Sequence, residues 1–166
     1  MLTAVELINH YQMLPHPQGG YFKQTYRSDE GIAAAHLPAR FGGDRLLSTA
    51  IYFLLEGKQF AAFHRIKSDE LWHFYYGIAL NIYVIQQTCE LEIIKLGNNL
   101  INDENFQAVV KAGCWFASRP INENSFSFVG CTVSPGLEFA DFELAEGVVL
   151  SKQYLQHKTL ITSLCL

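Results

Sequence analysis

The sequence lacks any run of basic residues. Its 12 Lys and Arg are scattered along 166 residues, and 16 Asp and Glu give a formal net charge of −4. A protein surface that follows the phosphates of a nucleic acid needs clustered Lys and Arg. We therefore expect no nucleic-acid partner.

Long apolar segments are missing as well. A membrane-crossing helix needs about 20 consecutive apolar residues, and no window of this sequence approaches that length. The first residues, MLTAVELINHYQ, contain no basic start followed by an apolar run, the pattern of a secretory signal. These absences predict a cytoplasmic protein with no membrane partner.

The cysteines lack the C-x-x-C spacing of zinc sites and redox motifs. There are four, at Cys89, Cys114, Cys131 and Cys165. A chain of this length with 49% apolar and 17% charged residues can bury a core without disulfides, so we expect reduced thiols. No internal repeat, low-complexity tract or linker is present, and we expect a single domain over residues 1–166.

The sequence does contain a succession of short β-type segments. They are rich in Ile, Val, Phe and Tyr, and Gly, Asn and Pro turn signals separate them. Such regular short strands are typical of a sandwich or barrel, so the predicted fold class is all-β. The predicted strands are 48–55, 60–66, 71–76, 79–86, 90–96, 106–111, 114–117, 126–133 and 138–144.

The two ends of the chain carry different patterns. Thr3 and Glu6 form a capping box that predicts a short N-terminal helix over residues 4–13. Extended structure is favoured from Gly20, and residues 28–46 read as a long loop. Residues 151–164 predict a C-terminal helical tail outside the barrel. Strands 49–55 and 80–85 are apolar on both faces, which suits burial by a second sheet or a second subunit.

The most informative segment is residues 57–77, GKQFAAFHRIKSDELWHFYYG. It places His64 and Glu70 on two strands joined by the turn at residues 67–69. An imidazole and a carboxylate brought together across a tight turn form a candidate acid–base pair or half of a metal site. Regular alternation puts His64 on the face opposite to Ala61 and Phe63.

The orientation of His73 depends on whether its strand is regular. If Glu70 faces inward on a regular strand, Trp72 and Phe74 do so too and His73 faces outward, whereas a bulge would reverse this. Both orientations stay open. His73, like His64 and Glu70, is a candidate catalytic residue.

This segment resembles the first motif of the cupin superfamily, which reads His-x-His, three or four residues, Glu, six residues, Gly. Here Ile66 stands at the second histidine, while His64, Glu70 and Gly77 match. The best match to the second motif is residues 111–116, with Phe116 at its histidine. Two of the four metal positions remain, and stable zinc or iron sites usually use three or more protein ligands. We therefore expect no metal and no other cofactor, unless His73 or Cys114 completes the set.

Four further segments resemble one branch of the cupins, labelled "predicted sugar epimerase". They are PHPQGGYF (15–22), DELWHFYYG (69–77), GCWFASRP (113–120) and GCTVSPGLEFADFEL (130–144). The resemblance spans residues 3–145. It implies a double-stranded β-helix, or jelly-roll barrel, similar to dTDP-4-keto-rhamnose 3,5-epimerase and usually found as a homodimer.

An epimerase needs a base beside the substrate carbonyl, an acid on the opposite face and a group that stabilises the enolate. His64 is the candidate base, with Glu70 or another carboxylate orienting it. The candidate acids are Tyr52, Tyr75, Tyr76 and Tyr83, of which Tyr76 is grouped with the catalytic residues. Side chains expected to contact a small-molecule ligand are Tyr52, Phe60, Trp72, Phe74, Tyr83, Trp115, Phe116 and Asp141.

Two alternatives remain open beside a metal-independent epimerase or isomerase. One is a non-catalytic cupin that binds a small ligand in the same pocket. The other is a metal-dependent oxygenase or isomerase with an unusual ligand set. The sequence leaves open whether the protein is an enzyme.

Overall fold

The computed structural model describes all 166 residues. The structure contains thirteen strands, and α-helices lie at the two ends of the chain. The strands are β1 (Leu14–Pro15), β2 (Tyr21–Arg27), β3 (Gly31–Ile32), β4 (Arg45–Leu46), β5 (Thr49–Glu56), β6 (Ala61–Arg65), β7 (Asp69–Gly77), β8 (Leu80–Ile85), β9 (Leu91–Leu96), β10 (Gln107–Val110), β11 (Trp115–Pro120), β12 (Phe126–Ser134) and β13 (Glu143–Leu144). The helices are α1 (Ala4–Tyr11), α2 (Gly147–Gln153) and α3 (Lys158–Ser163).

Two antiparallel sheets face each other. One has six strands in the order β1-β2-β5-β12-β7-β10, and the other has five in the order β13-β6-β11-β8-β9. Strands β3 and β4 pair with each other within the segment predicted as a loop. The predicted all-β jelly-roll barrel is confirmed.

The barrel interior is filled by apolar side chains that alternate along the strands of both sheets. Its largest members include Phe53, Trp72, Ile82 and Phe116, each almost fully buried. Such close packing leaves few voids, so any ligand that enters must displace side chains.

The N-terminal helix covers the outer face of the six-stranded sheet. Its capping box is formed as predicted: the Thr3 hydroxyl accepts the Glu6 N–H at 3.2 Å, and the Glu6 carboxylate accepts the Thr3 N–H at 2.8 Å. Leu7 packs with Leu54 and Phe128 of the sheet. Burial of this apolar stripe stabilises a helix too short to persist alone in water.

The C-terminal tail covers the outer face of the five-stranded sheet. The predicted C-terminal helical tail is confirmed. It begins at Gly147, earlier than expected, and is divided at Tyr154, whose ring packs in an apolar cluster with Leu150 and Ile161. None of the helices is long and apolar enough to cross a membrane.

The predicted strand over 138–144 is wrong. A 3₁₀ turn occupies Phe139–Asp141, where the Asp141 N–H donates to the Glu138 carbonyl at 2.9 Å. Only the two residues of β13 then pair with β6. The turn directs the Asp141 side chain to Arg45, which a continuous strand would not do.

Candidate functional site

A β-bulge sets the direction of His64. Across β6 and β11, His64 lies opposite Phe116 and Ala61 lies opposite Ser118, so β6 contains one residue more than β11. Ala61 packs in the barrel interior and Phe63 packs outside it. The predicted regular alternation is therefore wrong, because the extra residue places Ala61 and His64 on the same inner face.

The backbone of the bulge is hydrogen-bonded by distant segments. The Ala62 N–H donates to the Gln18 carbonyl and the Phe63 N–H donates to the Leu164 carbonyl, both at 2.8 Å. The Phe63 carbonyl accepts the Ala145 N–H at 2.8 Å. A bulge leaves such groups without ladder partners, and these bonds satisfy them.

His64 is a buried, neutral imidazole. Its Nδ1 lies 2.7 Å from the Ala62 carbonyl oxygen, which can only accept, so Nδ1 carries the proton. Burial lowers the pKa of His64 to about 3, and the nearby His16 contributes to the lowering. At neutral pH the Nε2 atom therefore has a free lone pair.

His16 is a second imidazole of the site and is not among the predicted site residues. Its ring lies against Phe22, Phe53 and Phe142, with centroid separations of 4.9, 5.8 and 6.2 Å. Its Nδ1 accepts the Gln18 N–H at 3.3 Å, and burial lowers its pKa to about 4, so the neutral ring carries its proton on Nε2. The sequence feature that could have identified His16 is its position in PHPQGGYF (15–22), one of the segments that resemble the cupin branch.

Glu70 faces the barrel interior, as do Trp72 and Phe74 two and four residues later. Burial raises the pKa of Glu70 to about 7, and the Cys131 thiol and the Trp72 indole oppose this weakly. The buried indole N–H of Trp72 nevertheless has no hydrogen-bond partner. Unsatisfied buried polar groups are rare, so the Trp72 indole provides an unused hydrogen-bond donor inside the barrel.

Aromatic rings separate Glu70 from the two imidazoles. Phe116 lies 4.0 Å from His64 and 6.3 Å from Trp72 between ring centroids. No hydrogen bond joins His64 to Glu70, and the carbonyl of Ala62 orients the imidazole. The expectation that Glu70 orients His64 is wrong, because the bulge carbonyl takes that role.

Phe142 covers the two imidazoles. Its ring stacks on His64 at a centroid separation of 5.3 Å and is half-buried. We name residues 137–146 the covering loop. Its four ion pairs are Glu138–Arg27 at 3.0 Å, Asp141–Arg45 at 2.5 Å, Asp141–Lys67 at 3.5 Å and Glu143–Arg65 at 2.7 Å.

Asp141 anchors the covering loop and does not face the barrel interior. The Arg45 guanidinium binds its carboxylate in a bidentate manner, and Lys67 lies 3.5 Å away. Burial alone would raise the pKa of Asp141, but the hydrogen bonds and charges of Arg45 and Lys67 outweigh it and lower that pKa. Its expected role as a ligand contact is therefore wrong.

Three other predicted site residues lie on the outer face of the six-stranded sheet. His73 contacts the Thr132 hydroxyl at 3.2 Å and the Gln107 amide at 3.1 Å. Tyr76 accepts the Leu2 N–H at 3.2 Å, and Tyr52 packs against the N-terminal helix. Regular alternation from Glu70 to Phe74 turns His73 outward. A β-bulge after Phe74 then turns Tyr76 outward as well, so neither residue belongs to the interior site.

The remaining three predicted site residues lie on the outer side of the five-stranded sheet. Phe60, Tyr83 and Trp115 pack in the cluster under the C-terminal helices. The Tyr83 hydroxyl accepts a hydrogen bond from Arg119 at 3.3 Å. Of the twelve predicted site residues, the interior brings together His64, Glu70, Trp72, Phe74 and Phe116.

The donor set does not fit a resident metal ion. No three His, Cys, Asp or Glu side chains converge in a way that could hold one. Phe116, at the histidine position of the second cupin motif, packs directly on His64. His73, one of the residues that could have completed a ligand set, points outward and contacts the Thr132 hydroxyl.

Comparison with known proteins agrees with this architecture. A protein of Shewanella oneidensis whose crystal structure is known has 38% identity and a TM-score of 0.88, covering 100% of this chain and 99% of that one. A hypothetical protein from Leishmania major has 29% identity, a TM-score of 0.88 and 99% coverage of both chains. The uncharacterised yeast protein YML079W (Saccharomyces cerevisiae) is 28% identical over 152 residues, which are 86% of this chain and 75% of that protein. The family described as "Cupin superfamily (DUF985)" matches residues 5–145, so this chain belongs to that cupin family.

Proposed function

We propose that this cupin binds a small carbohydrate-like carbonyl compound inside its barrel and moves a proton between neighbouring carbon atoms of that ligand. The observation that carries the proposal is Glu70, a buried carboxyl with no ion-pair partner and a pKa raised to about 7. Perturbed groups of this kind occur preferentially at functional sites.

Glu70 is better suited than His64 to be the proton-transferring group. A general base works best when its pKa lies near the working pH, because it is then both available and strong enough. The pKa of His64, lowered to about 3, makes that imidazole a weak base. In this proposal the Nε2 of His64 accepts a hydrogen bond from a ligand hydroxyl.

His16 is the proposed donor to the ligand carbonyl. Its neutral ring carries the proton on Nε2, since Nδ1 accepts the Gln18 N–H. A neutral imidazole can stabilise an enolate by donating a hydrogen bond in a site from which water is excluded. The Trp72 indole N–H, buried without a partner, is a second available donor.

The apolar walls of the site suit the carbon faces of a sugar-like ligand. Phe53, Trp72 and Phe116 are each about 1% exposed, so water is excluded from the interior. Phe142 is the half-buried member of the aromatic set around His64 and lies next to solvent. Entry of a ligand therefore requires movement of Phe142.

A deuterium-exchange experiment tests this function. We expect the protein to catalyse incorporation of solvent deuterium beside the carbonyl of at least one compound in a panel of keto-sugars and short hydroxyketones, followed by NMR. Glu70→Gln should slow this exchange by at least about 100-fold, because proton transfer by a positioned group contributes about that much. Glu123→Gln, which alters an exposed carboxylate paired with Lys58, should leave the rate unchanged.

The same experiment separates the proposal from a non-catalytic binding protein. The closed interior, with His64 only 2% exposed, would also suit tight retention of a ligand. Ligand-observed NMR that detects binding without any exchange would support this second candidate and reject proton transfer. A panel member that exchanges equally fast with Glu70→Gln would reject the role of Glu70.

We also propose that the outer face of the six-stranded sheet joins two copies of the chain. The register aligns Tyr26, Ala50, Thr132, Leu71 and Val109 in one row across five strands. The row contains no charge, and Tyr26, Leu71 and Val109 are exposed. A second copy related by a twofold axis presents the same uncharged row.

Light scattering after size-exclusion chromatography tests the dimer. Leu71→Glu should shift the mass from a dimer to a monomer, because it places a charge at an exposed position within the row. Ile93→Glu, at an exposed apolar position of the other sheet, should leave the dimer intact. A monomer mass for the unaltered protein would contradict the proposal.

A further inference from the structure

A second cleft lies outside the barrel, at the end formed by the turns around residues 66–69 and 111–114. Its volume is about 660 Å³, and it is lined mainly by polar side chains. Those that matter here are Arg40, Asp69, Gln86, Gln87, Thr88 and Lys111. None of them belongs to the interior site.

Arg40 is held in a fixed position at this cleft. Its Nε donates to the Lys67 carbonyl at 2.6 Å, and its guanidinium lies over the ring of Phe41 at 4.9 Å. Phe41 is itself buried, so its ring is a fixed surface against which the guanidinium packs. The two terminal NH₂ groups of Arg40 make no hydrogen bond or ion pair within the chain.

The other charges of the cleft compensate each other. The Asp69 carboxylate accepts hydrogen bonds from the Lys111 ammonium at 2.8 Å and from the Ala112 N–H at 2.9 Å. The hydrogen bond from Lys111 is the main reason that the pKa of Asp69 is lowered. The charge of Arg40 contributes less to this lowering, and Arg40 is the one charged group lining the cleft that forms no ion pair.

A free guanidinium with its stem fixed recognises an oxyanion with two parallel hydrogen bonds. The cleft is much larger than a single ion, and Gln87 and Thr88 add neutral hydrogen-bonding groups to its wall. We propose that this cleft binds a small polyhydroxylated molecule through its phosphate or carboxylate group, with Arg40 as the anchoring residue. This site goes beyond the proposed barrel chemistry and does not depend on it.

The test is a titration of the full chain with glucose 6-phosphate, gluconate and glucose, monitored by calorimetry and by backbone amide NMR shifts. We expect at least one anionic probe to bind with a Kd of about 1 mM or lower at low salt, where electrostatic attraction is least screened. Glucose should bind at least about tenfold more weakly. The relative affinities of the two anions show whether phosphate or carboxylate is preferred.

Variants assign the binding to this cleft. Arg40→Gln should weaken the anion at least about tenfold, and Arg40→Lys should recover part of the loss because it restores charge without the planar fork. Arg27→Gln alters an exposed arginine on another surface and should have no effect. Glu70→Gln should also leave anion binding unchanged, so failure of the barrel proposal is distinguishable from failure of this one.

Unchanged affinity in Arg40→Gln, or no binding of either anion by the unaltered protein, would overturn the proposal. Melting temperatures of all variants show whether the fold is retained. If Arg40→Gln does not fold, Lys111→Gln provides a second test, because it leaves Asp69 with an uncompensated charge facing the anion. Equal affinity in that variant would likewise reject the site.

Discussion

Arg45→Met is expected to lower the free energy of unfolding by about 3 kcal/mol or more at pH 7, because removing one partner of a buried ion pair strands the other charge. The side chains of Arg45 and Asp141 are only 5% and 1% exposed. Lys67, at 3.5 Å, remains as a partial partner for the carboxylate. Urea denaturation followed by circular dichroism measures the loss.

Two comparisons isolate the buried pair. Arg27→Met removes the ion pair with Glu138, whose side chains are 49% and 39% exposed, and should cost less than about 1 kcal/mol. The double variant Arg45→Met with Asp141→Leu should recover most of the lost stability, since no charge remains buried. A loss in Arg45→Met no larger than in Arg27→Met would contradict the assigned role of the pair.

Glu70→Gln is expected to raise the free energy of unfolding by about 3 kcal/mol at pH 8 and to change it little at pH 4.5. The pKa of Glu70 rises from its ordinary value of 4.5 to about 7 on folding. Between these pH values the unfolded chain releases the proton while the folded chain keeps it, so the carboxyl lowers native stability as pH rises. Above pH 7 the penalty stays constant, and each pKa unit corresponds to about 1.4 kcal/mol.

Urea denaturation of both proteins at several pH values between 4.5 and 8 measures this effect. The difference between them should grow with pH and level off above pH 7. Glu123→Gln, at an exposed position, should show no such trend. A difference that is constant with pH, or that falls as pH rises, would show that Glu70 is not a destabilising buried carboxyl.

The barrel was predictable because its strands carry strong local signals. Apolar β-type runs and Gly or Pro turns identified most of the strands of the two sheets. The predicted strand over 138–144 failed because the buried pair of Asp141 with Arg45, 96 positions away in sequence, favours a turn there. Periodicity contains no information about a partner at that separation.

The interior site was only partly predictable. Alternation along β7 correctly gave Glu70, Trp72 and Phe74 a shared direction. The bulge in β6 leaves no local sequence signal, so the surroundings of His64 were predicted incorrectly. His16 was missed because a histidine between two prolines reads as part of a turn, and its contacts with Phe53 and Phe142 are non-local.

The hydrogen bond from the Phe63 N–H to the Leu164 carbonyl has a consequence for how this domain can be divided. The family match ends at residue 145, yet the acceptor lies beyond it, in the tail that also buries Ile161. A fragment that ends at residue 145 would retain His16, His64 and Glu70. It would lose the hydrogen bond and the apolar contacts that the tail makes with β6, the strand that carries His64. A fragment intended for grafting or fusion should therefore extend through Leu164.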